Sequence, residues 1–559
     1  MTVPLILLVA QGTVCYKKRG VALVAGVPFF LENGYRMSLP AESQSVVVAE
    51  EATEPKRDWA AIVRLIGLLL VIIAGIVPRL TQYVFNRSLW LDESFFALNF
   101  TERSFMGLFH HPLDYDQSAP IGVLLVCKLF MLALGDSEYV LRLLPLIGGI
   151  AGLFCFWKLA AECVGVGKPH HVPFTMIFLS VVLLATCERL IYYASEFKPY
   201  STDATVAVLL FLGTATIMQR GITIRRAVWF GIGGVVAFWF SFPAVFVLGG
   251  VSCALLLHAL KKKDVLLAWC AVVMSMVWVC NFVGYYALFL SQTVQSPYLQ
   301  GYWQNAFMPL PLGELSFNWF TRSLSSFIRE QLGLSVWQGS VTLLLIVGLF
   351  AICWRSLALG CLFLVPVFLT IAASAVHKYP FTGRLILFLV PSFLLVIAEG
   401  IGWIQGVLPK PLRWLGWILI ALFVLPLVGA AFDYVPHPRS CEETRPMMQY
   451  MKQNLRPGDT VYVYYKTETA FKYYAHLLPF SFPNVIIGKC GRENSSVYYY
   501  DLQQLRGKER VWILFSHIYY QHGDEEKLFL KHLGRMGEPL DTRRAPGASV
   551  YLYDLSKSR

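Results

Sequence analysis

The sequence predicts a polytopic α-helical membrane protein with about 11 transmembrane helices and one small C-terminal α/β domain in water. Three observations predict this class. The 559 residues are 56% hydrophobic and only 15% charged, with a mean hydropathy of +0.56. A soluble domain carries about 25% charge, so too little polar surface is left to cover a large soluble globule. Apolar runs of about 20 residues, the length that spans a hydrocarbon core, recur from residue 60 to 430. Residues 431–559 return to ordinary soluble composition.

The predicted spans are 60–84, 139–163, 172–188, 200–218, 227–240, 243–260, 266–290, 339–354, 357–376, 384–405 and 411–430. One further apolar stretch, 119–135, opens on Ala119-Pro120, ends on Gly135-Asp136 and is short for a span. The positive-inside rule arbitrates its placement. If 119–135 lies in the interface, the short basic loops share one face. These loops carry Lys56 and Arg57, Lys168, Arg220 with Arg225-Arg226, Lys261-Lys262-Lys263, Arg355, and Lys410 with Arg413. If it spans, they divide between two faces. The first arrangement is preferred. It puts 85–138, 189–199, 291–338, 377–383 and the C-terminal domain on the outer side.

The net charge of +12 is therefore topology signal, and its distribution excludes a nucleic-acid-binding face. The twelve cysteines form no CxxC pair or Cys/His metal spacing. Cys441 and Cys490 fall in the C-terminal domain, where pairing and free thiols are both open. Residues 1–59 read as a cytoplasmic tail. Residues 2–10 are apolar but lack a basic leading region, a poor signal peptide, and Met37 is a candidate start that would make 1–36 an over-extended gene call.

Four polar segments converge on the outer face. The first begins Trp90-Leu91-Asp92-Glu93-Ser94 and continues to His110-His111 and Asp114-Tyr115-Asp116. Its adjacent acids read either as a solvated loop start or as a general base. With the histidines they make a divalent metal possible, on loose spacing; no ligand set is assigned. The second runs Glu188-Arg189 to Tyr192-Tyr193, then Glu196, Lys198 and Tyr200. Its charges either snorkel or cradle a phosphate. The third is His377-Lys378-Tyr379-Pro380-Phe381-Thr382-Gly383-Arg384, a tight turn ending on an arginine suited to anchoring or to phosphate. The fourth, Pro297 to Trp303 with Tyr298 and Tyr302, is an aromatic belt or a platform for a sugar ring.

In order and sidedness these pieces resemble the GT-C membrane glycosyltransferases, in particular the protein O-mannosyltransferase class (glycosyltransferase family 39) and the lipid A aminoarabinose transferases. The resemblance covers most of 60–430. It rests on the acidic pair after the first span and the Pro-led helix from Pro120 to Gly135. It also includes Gly135-Asp136-Ser137-Glu138-Tyr139-Val140-Leu141-Arg142, the Tyr/Glu/basic/Tyr segment and the Arg after a Tyr-Pro turn. It implies a polyprenyl-phosphate sugar donor and a lipid, glycan or protein acceptor. No long inserted domain occupies 291–338, unlike the eukaryotic protein mannosyltransferases. Asp92 would be the catalytic base, supported by Glu93. Arg384, Lys198 and Arg189 would hold the leaving phosphate. Asp116, Glu196, Tyr200, Tyr302, His377 and Lys378 would complete substrate binding. The expected location is a bacterial inner membrane, with the site and C-terminal domain periplasmic.

In 442–555, helical (447–455) and strand (460–465, 511–515, 549–553) patterns alternate around the turn Pro457-Gly458-Asp459, which predicts a small α/β domain. Tyr498-Tyr499-Tyr500 is read as packing in preference to glycan binding. Two other functions remain on the sequence: a transporter or flippase of lipid-linked sugars, and a non-catalytic envelope assembly subunit. The first wants internal repeats and mid-membrane charges. No repeat is visible, and the acids sit at span ends.

Overall fold

The computed structural model describes residues 7–10, 13–18, 21–25 and 59–556, apart from 110–112, 169–172, 336–337, 479–480, 483 and 520–523. The chain divides into two units, residues 1–66 and 67–559. In the first, strands β1 (Leu7–Ala10), β2 (Thr13–Lys18) and β3 (Val21–Ala25) form an antiparallel sheet. β-Branched segments separated by two-residue gaps that contain Gly12 and Gly20 favour such pairing. Met37 and the rest of the expected tail up to residue 58 lie outside the described residues.

Every expected span is a helix. Eight helices among the described residues are long and apolar enough to cross a membrane: Trp59–Phe85, Leu143–Gly165, Tyr200–Arg220, Ala244–Lys262, Val265–Val294, Gln338–Arg355, Leu357–Ala375 and Gly383–Val407. The expected count of eleven is thus not reached on length and apolarity. The other three are Pro173–Ala185, Ile224–Phe240 and a shorter apolar helix over Gly416–Phe432. Pro173–Ala185 stops early for a local reason. The buried Arg79 guanidinium donates to the carbonyls of Ala185 (2.9 Å) and Leu184 (3.2 Å), satisfying groups a helix end leaves open. Large apolar side chains such as Trp229, Trp269, Phe350 and Phe368 stay exposed outside the bundle, the surface a bilayer covers.

Inside the bundle, small residues set the closest approach. A Cβ on Gly348 would stand 2.0 Å from the Val396 carbonyl oxygen, and one on Gly400 would stand 2.4 Å from that of Leu344. Only glycine lets Gln338–Arg355 lie this close to the helix Val390–Val407. At one end of this pair Arg355 meets Glu399 at 3.1 Å, both buried.

Helix Ile121–Leu134 has 14 residues. At ~1.5 Å per residue it is ~21 Å long, short of a ~30 Å hydrocarbon core. Its Val123, Leu124 and Cys127 share an apolar cluster with Met447, Met448 and Trp512 of the C-terminal domain. Leu129, Leu132 and Leu134 remain exposed. A helix too short to span, with an apolar face left bare, fits an interfacial position.

The C-terminal domain is a five-stranded sheet of order β5-β4-β6-β8-β7. Its strands are β4 (Thr460–Val463), β5 (Val485–Ile487), β6 (Val511–Ser516), β7 (Glu538–Ala545) and β8 (Ala548–Asp554). β4 pairs in parallel with β5 and β6, while β8 runs antiparallel to β6 and β7. The three strands expected from sequence are β4, β6 and β8. Tyr498 is buried and donates to Glu525 at 2.9 Å, as packing requires, whereas Tyr499 and Tyr500 are exposed. Cys441 and Cys490 are free thiols.

The fold makes a topological prediction. In a background lacking the exposed Cys280 and Cys490, cysteines placed at Asp116 and Tyr302 should react with a membrane-impermeant maleimide from one side. Those at Arg225 and Lys262 should react from the other. Labelling of Asp116 and Arg225 from the same side would contradict the arrangement.

Candidate functional site

All four outer segments meet at one end of the helix bundle. The Ser296 hydroxyl donates to Asp116 Oδ1 at 3.4 Å, Gln300 Nε2 donates to the His377 carbonyl at 2.9 Å, and the Phe381 amide donates to the Ala306 carbonyl at 3.1 Å. At the centre is Asp92. It sits in the first turn of helix Leu91–Glu102, where the positive end of the backbone dipole favours a carboxylate. The helix N-terminus is capped from the C-terminal domain. Glu442 Oε2 accepts from the Leu91 amide at 2.9 Å, and Glu443 Oε2 accepts from the Ser88 amide at 3.2 Å.

Two cations hold the Asp92 carboxylate. Lys198 Nζ lies 3.0 Å from Oδ1, and the Arg384 guanidinium lies 2.5 Å from Oδ2. Lys198 also donates to Gln117 Oε1 at 2.5 Å. Arg384 lies 5.2 Å over the Trp90 ring and 5.5 Å over that of Tyr200. Burial opposes ionisation of Asp92, but Lys198 and Arg384 outweigh it and hold the carboxyl below its ordinary value. Gly383 supports the turn that delivers Arg384, with φ at +49°, a conformation that favours glycine.

The neighbouring Glu93 points elsewhere. It is fully buried, and Arg142 grips it through two hydrogen bonds, Nε to Oε1 at 3.0 Å and Nη2 to Oε2 at 2.7 Å. The Phe197 amide donates to its Oε1 at 2.7 Å. Arg87 lies 3.6 Å from Glu93 and 3.5 Å from Glu196, and 4.2 Å over the Tyr192 ring. Glu93 is therefore placed to fix the helical turn that carries Asp92. Glu196 belongs to the same knot. Burial, then the charge of Glu93, pushes its carboxyl up to about 7, against the pull of Arg87.

Other expected site residues divide. Tyr200 is buried beneath Arg384, while His377 and Lys378 are exposed at the mouth of a cavity described below. His377 stacks on Phe307 at 4.7 Å. Tyr302 is exposed and stacks on Tyr298 at 6.2 Å. Arg189 is turned from the expected phosphate position, donating through Nε to the Glu330 carbonyl at 2.7 Å. His110 and His111 lie outside the described residues. Among the described residues, no three His, Cys, Asp or Glu side chains are grouped to hold a metal ion. Gln117, Trp90, Arg87 and Glu442 were not singled out as site residues from sequence. Arg87 and Trp90 carry the only local signal, by flanking Asp92 in the chain.

A cavity of about 420 Å³ opens beside the Asp92 cluster. Phe242, Phe246, Phe282, Tyr286, Leu290 and Leu369 line its apolar wall. Pro199 and Leu385, the chain neighbours of Lys198 and Arg384, line it together with Tyr200, Lys378 and Tyr379.

No protein-family model and no curated protein matches the chain. Among solved structures it is similar to ArnT from Cupriavidus metallidurans bound to undecaprenyl phosphate, at 12% identity and a TM-score of 0.48, over 88% of this chain and 98% of that one. It is also similar to the oligosaccharyltransferase AglB from Archaeoglobus fulgidus in complex with an inhibitory peptide and a dolichol-phosphate. That match has 12% identity and a TM-score of 0.45, over 88% of this chain and 74% of that one. At this distance neither likeness assigns a substrate to the present site.

Two outcomes are expected of the buried knot. Glu93→Gln leaves Arg142 and Arg87 short of their counter-charge and should cost about 3–5 kcal/mol of stability. An unchanged melting temperature in detergent would contradict this. Glu196 binds its proton more tightly folded than unfolded. Its contribution to stability is complete below the ordinary carboxylate value and is lost as pH rises through about 7. Thermal melts of the wild type against Glu196→Gln should differ in slope between these limits, and parallel curves would contradict the assignment.

Proposed function

We propose that the chain is a glycosyltransferase that moves a sugar from a polyprenyl-phosphate donor to an acceptor hydroxyl at the outer membrane face. The observation that carries the reading is an ionised carboxylate held by two cations, Lys198 and Arg384, whose chain neighbours Pro199 and Leu385 line an apolar cavity. The cavity suits a prenyl chain, and the cations suit its phosphate.

A carboxylate paired with two cations is a weak base. The donor phosphate offers the same cations a second anion. As Lys198 and Arg384 turn to it, Asp92 loses its counter-charges and gains basicity. Asp92 then takes the proton from the acceptor hydroxyl as the oxygen bonds to the anomeric carbon. The bond from that carbon to the phosphate oxygen breaks, through an oxocarbenium-like state. Polyprenyl phosphate leaves with one more negative charge, which Lys198 and Arg384 stabilise. A single displacement inverts the anomeric configuration. Glu93 acts through the helical turn it fixes, and Asp116, Tyr302, His377 and Lys378 border the approach. Arg189 and Glu196 hold surrounding segments. A bacterial inner membrane with a periplasmic site fits this chemistry, because the lipid carrier arrives laterally. A transporter wants charges near mid-membrane, whereas this charge cluster stands at the bundle end.

Purified full chain in nanodiscs should lose transfer by about 10²–10⁴-fold on Asp92→Asn, with membrane insertion intact. Arg384→Ala should raise KM for the donor about tenfold or more, with KM for the acceptor little changed. Normal turnover of Asp92→Asn would remove the base, and equal effects of Arg384→Ala on both substrates would remove the phosphate role.

A further inference from the structure

Helix Val390–Val407 follows directly on the segment Gly383–Leu389, which carries Arg384. Its 18 residues, at ~1.5 Å each, lead ~27 Å away from the Asp92 cluster, about the depth of a hydrocarbon core. At its far end a second cavity, of about 260 Å³, lies between this helix, helix Gln338–Arg355 and helix Arg413–Phe432. Ile401, Ile404 and Leu408 line it from one side and Gly416, Ile420 and Phe423 from another. Steps of three and four residues keep each set on one face of its chain segment. Each set runs over seven positions, ~10 Å at ~1.5 Å per residue, so the cavity is an apolar slot along the helices. Such a slot takes an alkyl chain that lies parallel to them.

Two polar groups mark the end of the slot that lies away from Asp92. Gln405 lines it and is only 4% exposed, yet its Oε1 has no hydrogen-bond partner among the described residues. A buried amide oxygen left open costs about 1–3 kcal/mol until a donor reaches it. A Cβ on Gly416 would stand 3.7 Å from Gln405 Cγ and 3.4 Å from Leu408 Cδ1, so the start of helix Arg413–Phe432 lies against this amide. The second group is Arg413, which is exposed and donates through Nε to the Leu408 carbonyl at 3.4 Å. Among the described residues it makes no ion pair, so its charge is open to an anion. Trp414 and Trp417 stand exposed beside it, as aromatic side chains do at headgroup level.

We infer that this slot holds one anionic phospholipid with hydroxyls in its headgroup, of the phosphatidylglycerol type, in the leaflet opposite the Asp92 site. An acyl chain fills the apolar length, Arg413 meets the phosphate, and a headgroup hydroxyl donates to Gln405 Oε1. A choline phospholipid has no net charge for Arg413 and no donor for Gln405. The lipid ties helix Arg413–Phe432, which leads into the C-terminal domain, to the helix that follows the Arg384 turn. Nothing in this site uses Asp92, so it is independent of the transferase reading.

The test titrates purified full chain in detergent with dioleoyl-phosphatidylglycerol, dioleoyl-phosphatidylethanolamine and dioleoyl-phosphatidylcholine, and counts bound lipid by native mass spectrometry. The first phosphatidylglycerol should bind about tenfold more tightly than either zwitterionic lipid. Arg413→Gln and, separately, Gln405→Leu should each bring it to within about twofold of phosphatidylcholine. Both variants should melt no lower than the wild type in lipid-free detergent, because Arg413 is exposed and leucine removes the open acceptor while keeping the volume. Phosphatidylglycerol should also raise the melting temperature of the wild type more than that of either variant. Equal binding of the three lipids, or a phosphatidylglycerol preference kept in both variants, overturns the site. Binding of phosphatidylethanolamine as tight as that of phosphatidylglycerol overturns the anionic class. Displacement of phosphatidylglycerol by an equal concentration of undecaprenyl phosphate, or a dimer of the chain that excludes lipid, gives the slot to another occupant and overturns the assignment.

Discussion

The outer end of the protein depends on the buried grip of Arg142 on Glu93. The two side chains come from segments 49 residues apart, and both are essentially sealed from water. An ion pair at this depth is costly unless its remaining hydrogen-bond capacity is met. Here the Phe197 amide and the carbonyls of Arg87 and Ser88 meet much of it. The pair fixes the first turn of helix Leu91–Glu102 against the segment that carries Lys198. Asp92 is then held one residue from an immovable neighbour.

That arrangement gives two adjacent carboxylates opposite tasks. Successive helical residues project about 100° apart, so Glu93 can face Arg142 while Asp92 faces Lys198 and Arg384. Burial and charge act on each in turn. Both are held low by cations against the cost of burial, Asp92 by Lys198 and Arg384 and Glu93 by Arg142 and Arg87, but only the cations of Asp92 adjoin lining residues of the apolar cavity in the chain. Burial, then the charge of Glu93, raises Glu196 to about 7. The knot is therefore ionised unevenly, and the charge nearest the opening is carried by Asp92, Lys198 and Arg384.

Much of this was legible in the sequence for physical reasons. Apolar length and basic loops placed all eleven expected spans on helices, and the shortness of 119–135 marked it as different. Asp92, Lys198 and Arg384 were visible because charged groups at span ends stand out against apolar surroundings. The direction of Glu93 was not legible, since adjacent acids look alike until a partner 49 residues away selects one. Nor was the turning of Arg189 to the Glu330 carbonyl, a contact across 141 residues. The capping of Leu91 by Glu442 depends on how the C-terminal domain docks, which no local pattern records.

The central claim is that Asp92 and the donor phosphate compete for the same two cations. The direct measurement is the affinity of undecaprenyl phosphate for purified wild-type chain and for Asp92→Asn, at fixed pH and salt. Removing the competing carboxylate leaves Lys198 and Arg384 free for phosphate, so the variant should bind more tightly. Equal or weaker binding by Asp92→Asn, with the fold intact, would contradict the account.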